Sequence, residues 1–510
     1  MTINPTNAAA PPPPRALLIT TIMLLAILEV LDSTIVNVAL PAMMASLGAN
    51  QTEITWVLTS YVVASAVILP LTGFLTLRIG RKRFLLICSI GFMISSLLCG
   101  LSTSLSEIVL FRILQGACGA SLIPMSQAIL RETFPLHEQG KAMAIWGLGI
   151  MAAPVLGPTL GGFITDIANW RFVFYINLPI CILGIALVLA VIPSSTPKVI
   201  PLDKWGLLAM IVGIAALQIL LDTGNEHDWF QSVGIFLLAG ISVFAILFFL
   251  TWNYHAEHPI IHFVVFRDHN FTIACILMLC FCGTIFGLIT MVPLMYENIY
   301  QYTALKAGET MAPLGLASAC GMILAANVMR RVSVRMWLSA ALLCCAMGAY
   351  RYTHLASVID QSYFLLTQAY IGLGMGAFMV PFSTYALATL PRRALVEASG
   401  LFSYSRMLGT SIGISLLSTL VTRGSQWNWH HLITHITATE PAFLAWQTAQ
   451  NAPALTGIVL GKLNYTVMQQ ANLLSFQNGF YCVTLLFLGL IPLVWLLKPI
   501  KLSQEMEGGH

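Results

Sequence analysis

Charge is scarce in this chain. Of 510 residues only 9% are Asp, Glu, Lys or Arg, while 58% are hydrophobic; a soluble globular protein carries roughly 25% charged residues. Such a sequence cannot cover a water-soluble fold of this length, so soluble enzymes and soluble binding modules are excluded. The basic excess is small too, a net +4, and the cations are scattered through short segments, not gathered on one helix face, which excludes a nucleic-acid footprint. Cysteine and histidine are present without pattern. All 11 cysteines fall in apolar stretches with no ligand-spaced Cys/His set, so neither a disulfide framework nor a metal site is expected. The 11 histidines read as loop or tail residues. A nucleophile elbow, a metal pair and a phosphate loop are also missing, which argues against a membrane enzyme. Rings of charge and a filter-like carbonyl loop are missing as well, which argues against a channel. No signal peptide is read either: the first apolar run, of about 25 residues, exceeds a signal-peptide core and lacks a small-residue cleavage site.

What the chain has instead is long apolar runs. A spanning helix needs about 20 such residues, and fourteen runs qualify, at 16–40, 54–76, 84–102, 107–130, 141–163, 172–193, 205–221, 232–254, 271–295, 307–329, 336–350, 362–390, 398–421 and 478–497. Lys and Arg set the orientation. With the N-terminus inside, seventeen of them fall in cytoplasmic segments (15, 78, 81, 82, 83, 131, 141, 198, 204, 267, 330, 331, 335, 392, 393, 498 and 501), five fall outside (171, 306, 351, 423 and 462), and Arg112 and Arg406 lie within helices, completing the 24. The asymmetry predicts an even helix count with both termini cytoplasmic. The basic turn after helix 2, GFLTLRIGRKR (Gly73 to Arg83), has a degenerate partner after helix 10, NVMRRVSVRM (Asn327 to Met336). The expected fold is therefore an all-α membrane protein of 14 transmembrane helices: a tail 1–15, a six-helix bundle 16–193, a linker and inserted helices 7 and 8 over 194–254, a six-helix bundle 255–498, and a tail 499–510. Parallel repeats with a midplane site between them are a known transporter plan. One external segment, 422–477, is long and reads as a partly helical loop rich in tryptophan.

Two carboxylates break the first run. Leu28 to Pro41 reads LEVLDSTIVNVALP, and Glu29 and Asp32 lie three residues apart on one helix face. A charge at that depth costs at least ~2.5–3.5 kcal/mol on insertion scales, so it persists when paired, protonated or facing a wet cavity. Of the 20 acids only these two lie well inside a run, and no histidine is available as a substitute, so Asp32, assisted by Glu29, is the expected proton carrier. On helix 4, Arg112 lies at a comparable depth, roughly 7–8 Å below the outer end against about 12 Å for Asp32, with Gln115 on the following turn. Helix 5 carries APVLGPTLGG, in which Pro154 and Pro158 interrupt the backbone ladder while Gly157, Gly161 and Gly162 permit close approach. Asn37 and Arg406 are assigned to the substrate cavity.

Asp32 in LDSTIVNVALP, the basic turn with Gly73, Arg78, Gly80 and Arg81, Arg112 in FRILQG, the helix 5 motif and WRFVFYINLP (Trp170 to Pro179) together resemble the major facilitator superfamily. Fourteen helices, LDTGNEHDWF (Leu221 to Phe230) and the long last external segment resemble its drug:proton antiporter branch, EmrB-type multidrug exporters in particular. That resemblance implies two six-helix bundles, alternating access, proton-driven export of amphipathic compounds from the bacterial inner membrane, and work with a periplasmic adaptor and an outer-membrane channel. No cofactor is implied beyond the proton motive force. One departure stands out: members usually carry aspartate at the fifth position of the basic turn, where this chain has Leu77. An alternative with the same fold is an exporter or importer dedicated to one metabolite, such as a siderophore or a fatty acid.

Overall fold

The computed structural model describes residues 15–134, 136–193, 195, 197, 201–328, 332–356, 359–391, 394–436, 441–449 and 457–499. Lys198, Arg330, Arg331, Arg392, Arg393 and Lys501, all used above, lie outside them. Among the described residues the chain is all-α, with no β-strand.

Fourteen long helices appear among these residues: α1 Arg15–Leu47, α2 Trp56–Ile79, α3 Arg81–Leu101, α4 Leu105–Thr133, α5 Leu136–Ile167, α6 Phe172–Val191, α7 Lys204–Thr223, α8 Val233–His255, α9 His269–Asn298, α10 Ala304–Val328, α11 Val334–Thr353, α12 Gln361–Ala386, α13 Leu395–Thr434 and α14 Gly457–Trp495. Eleven stretches among the described residues are long and apolar enough to cross a membrane. The other three long helices, α5, α11 and α13, pack along neighbours in the same units, an arrangement compatible with fourteen spans.

Local chemistry sets the boundaries. Asn50 and Glu53 form a reciprocal capping box ahead of α2, and Ser104, Asp203 and Asp268 accept from backbone amides in the first turns of α4, α7 and α9. Gly80 stands at φ +91°, where a side chain is strained, and separates α2 from α3.

The chain divides into two compact units, Met1–Leu202 and Asp203–His510. In the first, α1 packs on α5 and α6, α2 on α4, and α3 on α4 and α6. In the second, α9 packs on α13 and α14, α10 on α12, and α11 on α12 and α14. The pairing is the same with every index raised by eight, the signature of a parallel duplication. Close packing repeats as well. A β-carbon on Gly161 of α5 would sit 2.8 Å from the Ile35 carbonyl of α1, and one on Gly413 of α13 would overlap the Gly283 carbonyl of α9.

The pair α7 and α8, read above with a linker, clusters with the second unit. Leu220, Leu221 and Ile235 pack against Leu408 and Ile412 of α13.

The segment 422–477 differs most from its sequence reading. Helix α13 runs on to Thr434, a short helix occupies Pro441–Ala449, and α14 begins at Gly457, so His430 and His431 lie on a helix, not in a loop. Apolar runs mark only the part of a helix that matches the hydrocarbon thickness of about 30 Å. A 40-residue helix such as α13 is about 60 Å long. Its polar continuation is held by partners on α14, where Trp429 Nε1 donates to Asn464 Oδ1 at 3.0 Å and Ser475 Oγ donates to the Val421 carbonyl at 2.6 Å.

Candidate functional site: a buried carboxylate hub

Asp32 lies midway along α1 and is fully buried. Arg112 Nη1 donates to its Oδ2 at 2.6 Å, while Gln115 Nε2 and Asn177 Nδ2 donate to its Oδ1 at 2.9 and 2.7 Å. Each donor is itself held. Arg112 Nη1 also donates to Gln115 Oε1 at 2.8 Å, its Nε donates to the Val57 carbonyl at 3.0 Å, and its guanidinium lies 4.1 Å from the centre of the Tyr61 ring. Asn177 Nδ2 also donates to Ser96 Oγ at 3.0 Å, and Ser96 Oγ donates to the Phe174 carbonyl at 2.9 Å. One carboxylate thus ties α1 to α4 and α6, with α2 and α3 held at second hand.

The remaining helix of the unit, α5, meets α1 two residues on, at Thr34. A β-carbon on Gly157 of α5 would overlap the Thr34 hydroxyl, and Thr34 Oγ1 donates to the Ala153 carbonyl at 3.4 Å. Only glycine admits this approach. Gly162 differs: a β-carbon there would sit 3.8 Å from Val38, in ordinary contact. Pro154 and Pro158 lie on α5, and their side chains are outside the described residues.

Glu29 takes a separate post. The α4 helix is interrupted at Ala120 and Ser121, and the Ile123 amide, at the start of its second half, donates to Glu29 Oε2 at 3.2 Å. A carboxylate at such an end satisfies an orphan amide and meets the positive end of the helix dipole.

The basic turn is built around Gly80. Arg81 N donates to Ser195 Oγ at 2.7 Å, and the Arg81 guanidinium pairs with Glu132 of α4 at 2.5 Å. Glu132 is thus the anion facing Arg81 in a turn that has Leu77 at its fifth position. Gly73 is buried, and Arg78 is exposed beside the Phe74 ring. Asn37 is exposed on α1, and Arg406 is half-buried on α13.

The sequence marked Asp32, Arg112 and Gln115. It did not single out Asn177 within WRFVFYINLP, and it did not mark Ser96, Val57 or Tyr61. Asn177 carried a usable cue, a lone amide in an apolar run; Val57 contributes only its carbonyl, which no side chain announces.

Residues 22–414 match the model of the Major Facilitator Superfamily. The chain belongs to that superfamily. It is a multi-pass membrane transporter and not an enzyme. Among curated members of the superfamily, it is 34% identical to "Fatty acid resistance protein FarB" of Neisseria gonorrhoeae over 95% of this chain and 96% of that protein. It is 32% identical to "Multidrug export protein EmrB" of Escherichia coli K12 over 92% and 93%. Two solved superfamily folds superpose at low identity. The human organic anion transporter MFSD10 gives a TM-score of 0.61 at 14% identity over 93% of this chain and all of that one. The proton:xylose symporter XylE gives 0.58 at 14% over 94% and 96%.

Proposed function

We propose that this chain is a proton-coupled antiporter that exports amphipathic organic compounds across the bacterial inner membrane, with both termini cytoplasmic, as one part of an assembly with a periplasmic adaptor and an outer-membrane channel. The observation that carries the coupling is the Asp32 hub, a fully buried carboxylate that receives three donors from two helices besides its own. Breaking a buried ion pair by neutralising one partner costs about 3–5 kcal/mol, because the other charge is left uncompensated. A proton on Asp32 therefore releases Arg112 and obliges it to find another partner, which loosens α1 from α4 and α6 together. Loss of the proton restores the hub. Protonation and helix rearrangement thus become one event, which is what antiport requires.

The remaining residues take supporting parts. Glu29 braces the broken α4 and gives the N-terminal unit an acidic group for cationic cargo. Gly157, Gly161 and the prolines of α5 set the hinge against α1, Gly73, Arg78, Gly80 and Arg81 gate the cytoplasmic end, and Asn37 and Arg406 line the cargo path. A second reading, export dedicated to one metabolite, is favoured by the similarity to a relative named for fatty acid resistance. Proteoliposomes with an imposed pH gradient, offered a dye panel and a fatty acid series, separate the two by which cargo moves.

The coupling is tested by cargo-induced proton release from the solubilised protein. Native protein is expected to release protons, Asp32→Asn to release none, and Glu29→Gln to release them still. Undiminished release from the double variant would move the coupling acid elsewhere.

A further inference from the structure

The helical register of segment 422–477 changes what its histidines can do. As a loop, HHLITH (His430 to His435) has no fixed faces; at the end of α13, whose last residue is Thr434, it sets His431 and His435 one turn apart on one face. Both side chains are exposed. Their ring centres lie 4.7 Å apart with the planes at 75°, and Trp427, a turn earlier in the same row, packs against the His431 ring at 5.4 Å.

One tautomer is fixed by the backbone. His435 Nδ1 lies 2.7 Å from the His431 carbonyl; a carbonyl only accepts, so Nδ1 carries the proton and the lone pair of the neutral ring sits on Nε2. Metal-ligating histidines are held in this way, with the other ring N–H donated to a carbonyl or carboxylate. Among the described residues no hydrogen bond engages His435 Nε2 or either ring nitrogen of His431. The ring spacing matches a chelate. Two imidazole nitrogens about 2.1 Å from one ion put their ring centres about 4.6 Å apart when bound at a right angle, and about 5.3 Å apart at the tetrahedral angle. The observed separation is that of the right-angle case, which square-planar and tetragonal ions such as Cu²⁺ and Ni²⁺ adopt. The pair also stands at the C-terminal end of a helix, where the dipole favours positive charge.

We propose that His431 and His435 form a surface site for a divalent transition cation, which two imidazole nitrogens hold side by side. Cu²⁺ binds most tightly and Ni²⁺ next, because affinity for such ligands rises along the series to copper. Among the described residues no third His, Cys, Asp or Glu joins the pair, so water fills the remaining positions. The bound ion fastens residue 431 to residue 435 and closes the last turn of α13. His430 stays outside the site, since its ring packs on Trp429 at 5.0 Å. Nothing in this assignment depends on the export function proposed above.

The test is electron paramagnetic resonance with spin-echo nitrogen modulation on the full chain, purified without a histidine tag and given one equivalent of Cu²⁺ at about pH 7.5, where free imidazole is neutral. Native protein is expected to show one class of bound copper carrying two imidazoles. His431→Ala and His435→Ala are each expected to leave one imidazole at most and to weaken Cu²⁺ binding about tenfold or more, because the second imidazole binds intramolecularly. His430→Ala is expected to keep both. All three positions are exposed, so the variants retain the fold. A single imidazole in the native spectrum, a two-imidazole signal that persists in either of the first two variants, or its loss in His430→Ala overturns the proposal.

Discussion

At the scale of single residues, the chemistry concentrates where the bilayer tolerates polarity least. Asp32, Arg112, Gln115 and Asn177 are each almost or fully buried, and the last three all donate to the Asp32 carboxylate. Substitutions here separate chemistry from packing. Gly157→Leu is expected to insert in the membrane normally, because hydrophobicity is kept, yet to lose export at least tenfold, because a side chain at that position meets Thr34 and the Ile35 backbone. Vesicle efflux measured beside membrane-fraction yield checks this, and full efflux would show that α5 does not need its close approach to α1. The legible residues at this scale were those whose charge contradicts an apolar run, as Asp32 and Arg112 do. Asn177 and Ser96 are polar but uncharged, and such residues are common in spanning helices as plain packing groups. Their place in the hub is set by the crossing of α3 and α6, which no one-dimensional pattern contains.

Among the elements, the inserted pair α7 and α8 has a definite attachment. Gln218 Nε2 donates to Ser411 Oγ at 2.7 Å, Asn225 Nδ2 to Ser418 Oγ at 3.3 Å, and Trp229 Nε1 to Thr419 Oγ1 at 2.9 Å, a polar ladder up one side of α13. LDTGNEHDWF is the top of this ladder: Asp228 and Trp229 adopt left-handed backbone conformations that fold the turn back, and Gly224 lies against the Trp229 ring. Helix–helix hydrogen bonds in membranes average about 0.6 kcal/mol, so the three rungs together contribute about 2 kcal/mol. The triple variant Gln218→Leu, Asn225→Leu, Trp229→Phe is expected to lose about that much in a reversible unfolding titration, whereas Tyr254→Leu, on the exposed face of α8, is expected to change nothing. An unaltered midpoint in the triple variant would mean that apolar contacts alone hold the pair. Most helices were legible to within a few residues because apolar length is a strong signal, but α14 begins at Gly457, far before the apolar run that starts at 478. The extension of α13 to Thr434 was not, because polar sequence outside the hydrocarbon leaves helix and loop alike in composition.

For the whole molecule, the proposed orientation rests on how basic residues are distributed. In a chain with exposed native cysteines removed, Lys82→Cys is expected to react with an impermeant maleimide only after permeabilisation, and Trp427→Cys to react from outside in intact cells. Labelling of both from the same side would break the fourteen-span topology. The repeat was only faintly legible, from two basic turns, one of which lies partly outside the described residues. The pairing of α1 with α5 and of α9 with α13 is the firmer sign of duplication, and it required the fold.

Because α13 and α14 continue unbroken from the apolar region into segment 422–477, a tilt of either helix would be carried to its far end as by a lever. The 13 residues of α13 beyond residue 421 reach about 20 Å. A tilt of about 10° at the membrane surface then swings the tip by about 3–4 Å, by the same rise per residue. A partner seated on Trp427, which is 65% exposed, would feel each transport cycle as a displacement of its docking surface, and a spin label there would report turnover without touching the cargo path.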